Sequence, residues 1–274
     1  MFVEKYMKLR NLNIFTKKYG NGTPLLFLHG GPGGEHRYFL PHLQELSDRF
    51  QLIFYDQRGC GLSEEPQDKN YTMDEEVETL EALRVELGIE KVNLIGESWG
   101  SMLALLYACK YPQHVNKIFL TAAVGAVIDG YLNFEKELLS RMTEKDKHEL
   151  EELTPKLEHG EVSVNEIFRI IDPYYLFSSK NLHKKTPTKS NAEVNRIMGN
   201  DIVNHYDLSG KMDQLSEIPI LVAQGDHDMI TPEKLPDLLL KFIPHAQLKV
   251  IKDCGHWSVI EKPDVLQEYI TEFF

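Results

Sequence analysis

Cysteine is scarce in this chain. Its three cysteines, Cys60, Cys109 and Cys254, are an odd set without paired spacing, which excludes a disulfide framework and a cysteine-based zinc site. Long apolar runs are missing as well, and no stretch reaches the ~20 residues a membrane span requires. Positive charge is in deficit: 30 Lys and Arg against 42 Asp and Glu give a net charge of -12. So acidic a surface lacks the basic footprint that nucleic-acid phosphates need, and it is repelled by anionic membranes. The opening "MFVEKYMKLRNLNIF" scatters charges where a signal peptide has an apolar core. Internal repeats and low-complexity tracts are absent too. The expectation left is a cytoplasmic soluble protein with neither nucleic acid nor membrane as partner. Its 274 residues, 42% hydrophobic and 26% charged, suit one large α/β domain carrying an inserted subdomain.

What is present is a series of short apolar runs, each followed by turn residues. They are "PLLFLHG" (24–30), "FQLIFYDQRG" (50–59), "VNLIGES" (92–98), "VNKIFLTAA" (115–123), "IPILVAQGD" (218–226) and "QLKVIKDCGH" (247–256). Continuous rather than alternating runs suit strands buried on both faces of a parallel sheet. Helical patterns lie between them. Thr72 and Glu75 have capping-box spacing before the face Val77, Leu80, Leu87, and Gly88 stands where that helix would stop. Thr231 followed by Pro232 predicts another helix start. Strands alternating with helices predict a mostly parallel, doubly wound α/β sheet.

The rhythm breaks between residues 123 and 212. That stretch holds no convincing buried strand and is rich in charge, as in "TEKDKHELEELTPKLEHGE". It predicts a helical cap inserted into a core made of residues 1–122 and 213–274.

"Gly96-Glu97-Ser98-Trp99-Gly100" fits G-x-S-x-G in the context that motif requires, a strand before and a helix after. On so tight a turn only the smallest side chains fit two residues either side of the serine. The Ser98 hydroxyl is lifted clear of the sheet, beside the positive end of the next helix. A serine nucleophile needs a base and an acid to orient that base. On this fold the chain order is serine, then acid, then histidine. After the insertion, "ILVAQGDHDMITP" supplies Asp226 and Asp228 at a strand end, and "KDCGHWSVIEKP" supplies His256 beyond the next one. Asp228 is the preferred acid, because Asp226 closes the strand whereas Asp228 opens the loop. Most of the eleven histidines fall in charged or loop stretches, and the "DHD" around His227 has no second cluster at metal-ligand spacing. No metal and no cofactor is implied.

"His29-Gly30-Gly31-Pro32-Gly33-Gly34" follows the first apolar run without the lysine and hydroxyl pair of a phosphate loop. It reads instead as a source of backbone donors for the oxyanion that forms when Ser98 attacks a carbonyl. Gly31 supplies one N–H and Trp99 the other. "DQRGCGLS" (56–63) reads as a brace for neighbouring loops.

Together "HGGPGG", "DQRGCGLS", "GESWGS", "GDHDMITP" and "GHWSVIEKP" resemble the α/β-hydrolase superfamily and, within it, the proline iminopeptidase-like branch. The resemblance covers residues 20–122 and 215–270. It implies Ser98 as nucleophile, Asp228 as acid, His256 as base, and an oxyanion hole from Gly31 and Trp99. It also implies cap carboxylates that bind a substrate's free amino group. Two departures bear on the substrate. Glu97 replaces the glycine usual in "GGSWGS", and Val203 precedes "Asn204-His205-Tyr206" where one bacterial subgroup has a glutamate. Asp201, Asp207, Glu35 and Glu135 are the carboxylates available to substitute.

The leading expectation is therefore a serine hydrolase acting through an acyl-enzyme, an aminopeptidase that releases N-terminal residues from small peptides. A small-molecule carboxylesterase or lactonase is the alternative within that class, and a non-catalytic ligand receptor is the alternative outside it. Ser98 argues against dehalogenases and epoxide hydrolases, which place an aspartate at this corner.

Overall fold

All six continuous apolar runs become strands of one sheet. The computed structural model describes residues 2–274. In chain order the strands are β1 (Phe2–Leu9), β2 (Leu12–Tyr19), β3 (Thr23–Leu28), β4 (Phe50–Tyr55), β5 (Val92–Glu97), β6 (Val115–Thr121), β7 (Ile220–Gly225) and β8 (Gln247–Ile251). They lie in the order β1-β2-β4-β3-β5-β6-β7-β8, and only the pairings of β2 are antiparallel. This is the mostly parallel α/β sheet that the patterning predicts.

β1 and β2 escape the reading by continuous apolar runs, because they alternate. They form a hairpin at the sheet edge whose turn residues, Arg10 and Asn11, both have positive φ (46° and 67°), the geometry that two-residue hairpin turns favour. β1 is exposed over most of its length, and its Glu4, Lys5 and Lys8 guard the edge against further pairing.

Alternate residues of the central strands feed two cores. Leu26, Leu28, Ile53, Leu94, Ile118 and Val222 pack on one face with helices α1 (Met73–Glu86) and α2 (Trp99–Lys110). Leu25, Phe27, Phe54, Ile95, Phe119 and Leu221 pack on the other with the C-terminal helix. Thr72 caps α1 by accepting the Glu75 N–H at 3.3 Å. The return half of the box does not form, since the Glu75 carboxylate holds Arg10 instead.

The segment between β6 and β7 is helical. It carries α3 (Ile128–Arg141), α4 (Glu144–Glu158), α5 (Val164–Ile171) and α6 (Ala192–His205). Its two ends meet: Val127 bridges Asp207, and the Leu208 N–H donates to Ala126 O at 2.9 Å. Beyond β8 come α7 (Ser258–Glu261) and α8 (Pro263–Phe273). One expectation needs correction. Residues after Thr231 do not start a regular helix; turns lead into a short π-helical stretch, Pro236–Leu240. Pro236 has no N–H with which to continue an α-helical ladder from Pro232.

Strand order reverses between β3 and β5, so the loops after these two strands diverge and leave a crevice at their carboxyl ends. On open α/β sheets that crevice is where ligands bind. Ser98 and the glycine loop both lie there.

Candidate active site

Ser98 joins β5 to α2 with φ 54° and ψ -120°, a conformation L-residues rarely hold without surrounding support. The support is close packing. A Cβ at Gly96 would come within 2.3 Å of Gly100 O, and one at Gly100 within 2.0 Å of Leu28 O. Glycine at both positions is what lets strand, turn and helix close around the serine.

The loops after β7 and β8 bring the other two expected residues to it. Ser98 Oγ lies 2.9 Å from His256 Nε2, and His256 Nδ1 lies 3.0 Å from both carboxylate oxygens of Asp228. Asp228 is fully buried and His256 nearly so. Burial pulls the imidazole pKa down, but the Asp228 carboxylate outweighs it and holds His256 above its usual 6.5. Asp226 is not part of this chain. Its carboxylate takes His227 Nδ1 at 2.8 Å and the Cys254 N–H at 3.3 Å.

Trp99 opens α2, so its N–H has no partner within the helix. The Gly31 N–H likewise donates to no protein acceptor among the described residues. The glycine loop is braced from behind. The Trp99 indole donates to Gln57 Oε1 at 2.8 Å, and Gln57 Nε2 donates to His29 O at 2.9 Å. Asp56 accepts from the His36 and Leu62 N–H groups, in keeping with a bracing role for the "DQRGCGLS" loop. Among the described residues, Glu35, His36 and Asp56 alone bring three metal-ligand atoms within 4.8 Å. His36 and Asp56 bind one another, and Glu35 holds Arg37 and the Lys189 N–H.

A cavity of about 1050 Å³ opens over Ser98. Its walls come from the glycine loop, from α3, α5 and the start of α6, and from the residues around His256. Residues 131, 134, 135 and 138 line one side of it, the i, i+3, i+4, i+7 face of α3. Phe134 packs on the His256 ring at 4.6 Å between centroids, and Tyr175 at 5.4 Å.

The four carboxylates considered for an amine separate clearly. Asp201 lines another cleft, of about 640 Å³, and accepts the Met73 N–H. Asp207 accepts the Ser209 N–H on the surface. Glu35 reaches the cavity but is paired with Arg37. Glu135 reaches it with no cation partner among the described residues, and partial burial raises its carboxyl above 4.5.

Several supporting residues lie outside the motifs. From α3, the Arg141 guanidinium donates to His227 O and Asp228 O, each at 2.7 Å. Tyr175 O accepts the His256 N–H at 2.7 Å. Both contacts cross from the helical segment to a loop far away in sequence, so no local signal marks them.

The model for the alpha/beta hydrolase fold matches residues 23–263. Proline iminopeptidases are among the chain's relatives. That of Lactobacillus helveticus is 31% identical, with 91% of this chain and 90% of the relative covered. That of Lactobacillus delbrueckii subsp. bulgaricus is 29% identical, with 98% and 97% covered. An alpha/beta fold family hydrolase from Bacillus anthracis superposes with a TM-score of 0.81 over the full length of both chains, at 21% identity. The chain thus belongs to the α/β-hydrolase family, in its proline iminopeptidase-like branch, and is a hydrolase.

Proposed function

We propose that the protein is a serine aminopeptidase of the proline iminopeptidase kind, cytoplasmic and free of cofactors, releasing N-terminal residues from short peptides. Residues 123–212 act as its cap, over a core of 1–122 and 213–274. The observation that carries the reading is the hydrogen-bonded chain Ser98–His256–Asp228, whose serine and histidine line a cavity that also holds Glu135, without a cation partner among the described residues.

The Ser98 hydroxyl donates to His256 Nε2. As its oxygen attacks the scissile carbonyl, its proton passes to that nitrogen, and Asp228 stabilises the imidazolium. The carbonyl oxygen becomes an oxyanion that accepts the Gly31 and Trp99 N–H groups. His256 then gives its proton to the leaving nitrogen, the C–N bond breaks, and an acyl-Ser98 remains. Water, deprotonated by the same nitrogen, attacks the ester and releases the acid. Glu135 would hold the substrate's ammonium, since among the described residues it is paired with no cation.

Much of the wall is apolar, Met102, Val124, Phe134, Leu138 and Ile260 included, which favours a small-molecule carboxylesterase as the second reading. Purified protein and its Ser98→Ala and Glu135→Gln variants are assayed on prolyl-β-naphthylamide and on p-nitrophenyl esters. The aminopeptidase reading expects turnover of the prolyl amide, abolished by Ser98→Ala. Glu135→Gln should raise KM for the amide about tenfold or more, the order expected when a charge-assisted bond worth ~1.5–3 kcal/mol is lost, and leave the esters unaffected. Ester turnover alone would replace it with the carboxylesterase reading. No Ser98-dependent turnover of either would refute both.

A further inference from the structure

Glu97, the departure inside the serine motif, has no part in the chemistry above, yet it is buried beside the nucleophile at 2% exposure. Its Oε2 accepts the Tyr38 hydroxyl at 2.6 Å. That hydroxyl's oxygen in turn accepts the Gly30 N–H at 2.9 Å. The Glu97 Oε1 has no hydrogen-bond partner among the described residues. Gly30 packs straight onto the elbow: a Cβ there would fall 2.5 Å from Glu97 Oε2 and 3.3 Å from Ser98 Cβ.

We propose that Glu97 and Tyr38 are positioning residues for the oxyanion loop: their hydrogen bonds tie the Gly30–Gly31 segment to the strand that carries Ser98. This inference rests on the reading of Ser98 as nucleophile and Gly31 as an oxyanion donor. With Tyr38 occupying the Gly30 N–H, that peptide is fixed and the neighbouring Gly31 N–H stays free for the substrate. The relay also continues the link between β3 and β5 past their last paired residues, Leu28 and Gly96, where the two loops begin. Burial raises the Glu97 carboxyl above 4.5, and Asp228 pushes it the same way against the opposing pull of His256 and Tyr38.

Tyr38→Phe deletes one oxygen atom and leaves Glu97 Oε2 and the Gly30 N–H without their partner. Displacement of an oxyanion donor by about 1 Å, or its loss, costs ~10²-fold or more in rate. Full-length Tyr38→Phe, Glu97→Ala, Glu97→Gln, Ser98→Ala and the double variant Tyr38→Phe/Glu97→Ala are compared with the wild type. The readouts are kcat and KM for p-nitrophenyl acetate and the rate of Ser98 labelling by a fluorophosphonate, followed by intact mass, with melting curves run alongside. Tyr38→Phe and Glu97→Ala should each lower kcat and the labelling rate about 10²-fold with KM little changed. Glu97→Gln, whose amide oxygen still accepts the Tyr38 hydroxyl, should recover most of that loss. The double variant should be no worse than the poorer single one, because both break the same link.

Wild-type kcat and labelling in Tyr38→Phe would overturn the proposal. So would a loss confined to KM, a Glu97→Gln variant as impaired as Glu97→Ala, or losses that multiply in the double variant. If Glu97→Ala does not fold, Tyr38→Phe and Glu97→Gln decide. Turnover surviving in Ser98→Ala would overturn the nucleophile reading itself. Turnover lost there but kept in Tyr38→Phe overturns the positioning role alone.

Discussion

Replacing Asp228 by asparagine keeps the shape of the proposed acid and removes its charge. Both carboxylate oxygens receive donors. Oδ1 accepts the Ile230 N–H at 3.2 Å, Oδ2 accepts Gln224 Nε2 at 3.0 Å, and His256 Nδ1 lies 3.0 Å from each. An asparagine must turn its NH2 toward one of these donors. Gln224 cannot flip to accommodate it, since its Nε2 also donates to Ile230 O at 2.7 Å and its Oε1 accepts the Ala123 N–H at 2.8 Å. A donor facing a donor in a site with no exposed surface costs ~1–3 kcal/mol of stability. The larger loss is catalytic. His256 loses the acceptor that keeps its proton on Nδ1 and leaves Nε2 free for Ser98, and a wrong tautomer of this kind costs ~10⁴ in kcat, or about 5 kcal/mol of barrier. The pH profile carries its own sign. Burial lowers the His256 pKa and the Asp228 carboxylate raises it by more. Without that charge burial prevails, the imidazole stays neutral to lower pH, and the acidic limb of kcat/KM moves down. Full pH–rate profiles on an ester substrate test both effects, with Asp226→Asn as the control. Asp226 serves His227 and the Cys254 N–H, so that variant should stay within about threefold of wild type, the range of a surface change worth ~0.5 kcal/mol. An Asp228→Asn enzyme within tenfold of wild type, or an equal loss in Asp226→Asn, would refute the assignment.

Two further perturbations read the scaffold. Burial pushes Glu76 up from 4.5 to about 7, so the stability tied to its neutral form is complete below pH 4.5 and is lost as the pH rises through about 7. The difference is worth about 3 kcal/mol; the melting temperature should fall from pH 5 to pH 8, and an unchanged slope in Glu76→Gln would exclude this origin. Gly100→Ala sets a Cβ 2.0 Å from Leu28 O and 3.0 Å from His29 O, so the end of β3 must move. Urea unfolding should show a loss of about 3 kcal/mol, and an unshifted midpoint would contradict the packing described for the elbow.

Legibility in the sequence followed the range of the interaction. The parallel strands were readable because burial on both faces demands continuous apolar runs, as in Leu25–Leu28. The convergence of Ser98, Asp228 and His256 was readable because each lies beyond a strand end, where sequence order maps onto position along one sheet edge. β1 and β2 were not, because one-sided burial at an edge gives a weak alternation of the kind in "FVEKYMKL". The Pro236 stretch misled because the start signal of Thr231 and Pro232 was genuine, but a second proline four residues on removed the next donor. Among the carboxylates, Asp201, Asp207, Glu35 and Glu135 were indistinguishable in sequence. Only their neighbours separate them, Arg37 beside Glu35 above all.

The helical segment between β6 and β7 does more than roof the cavity, and the reason lies in how the loops of Asp228 and His256 are held. Asp228 and His256 follow the last two strands of the sheet, where few neighbours remain to fix a loop. Arg141 of α3 takes up the carbonyls of His227 and Asp228. Tyr175 O takes the N–H groups of His256 and Trp257. Glu261, at the end of α7, accepts from Phe177 N, Ser178 N and Asn181 Nδ2 on one side and from Gly255 N on the other. These bonds make the proposed catalytic geometry depend on the segment that also lines the substrate's space. A change in α3 that reshapes the pocket therefore also moves Arg141 and, through it, the proposed acid. Substrate range and catalytic rate are coupled by construction, so substitutions on the cavity face of α3 should alter kcat as well as KM.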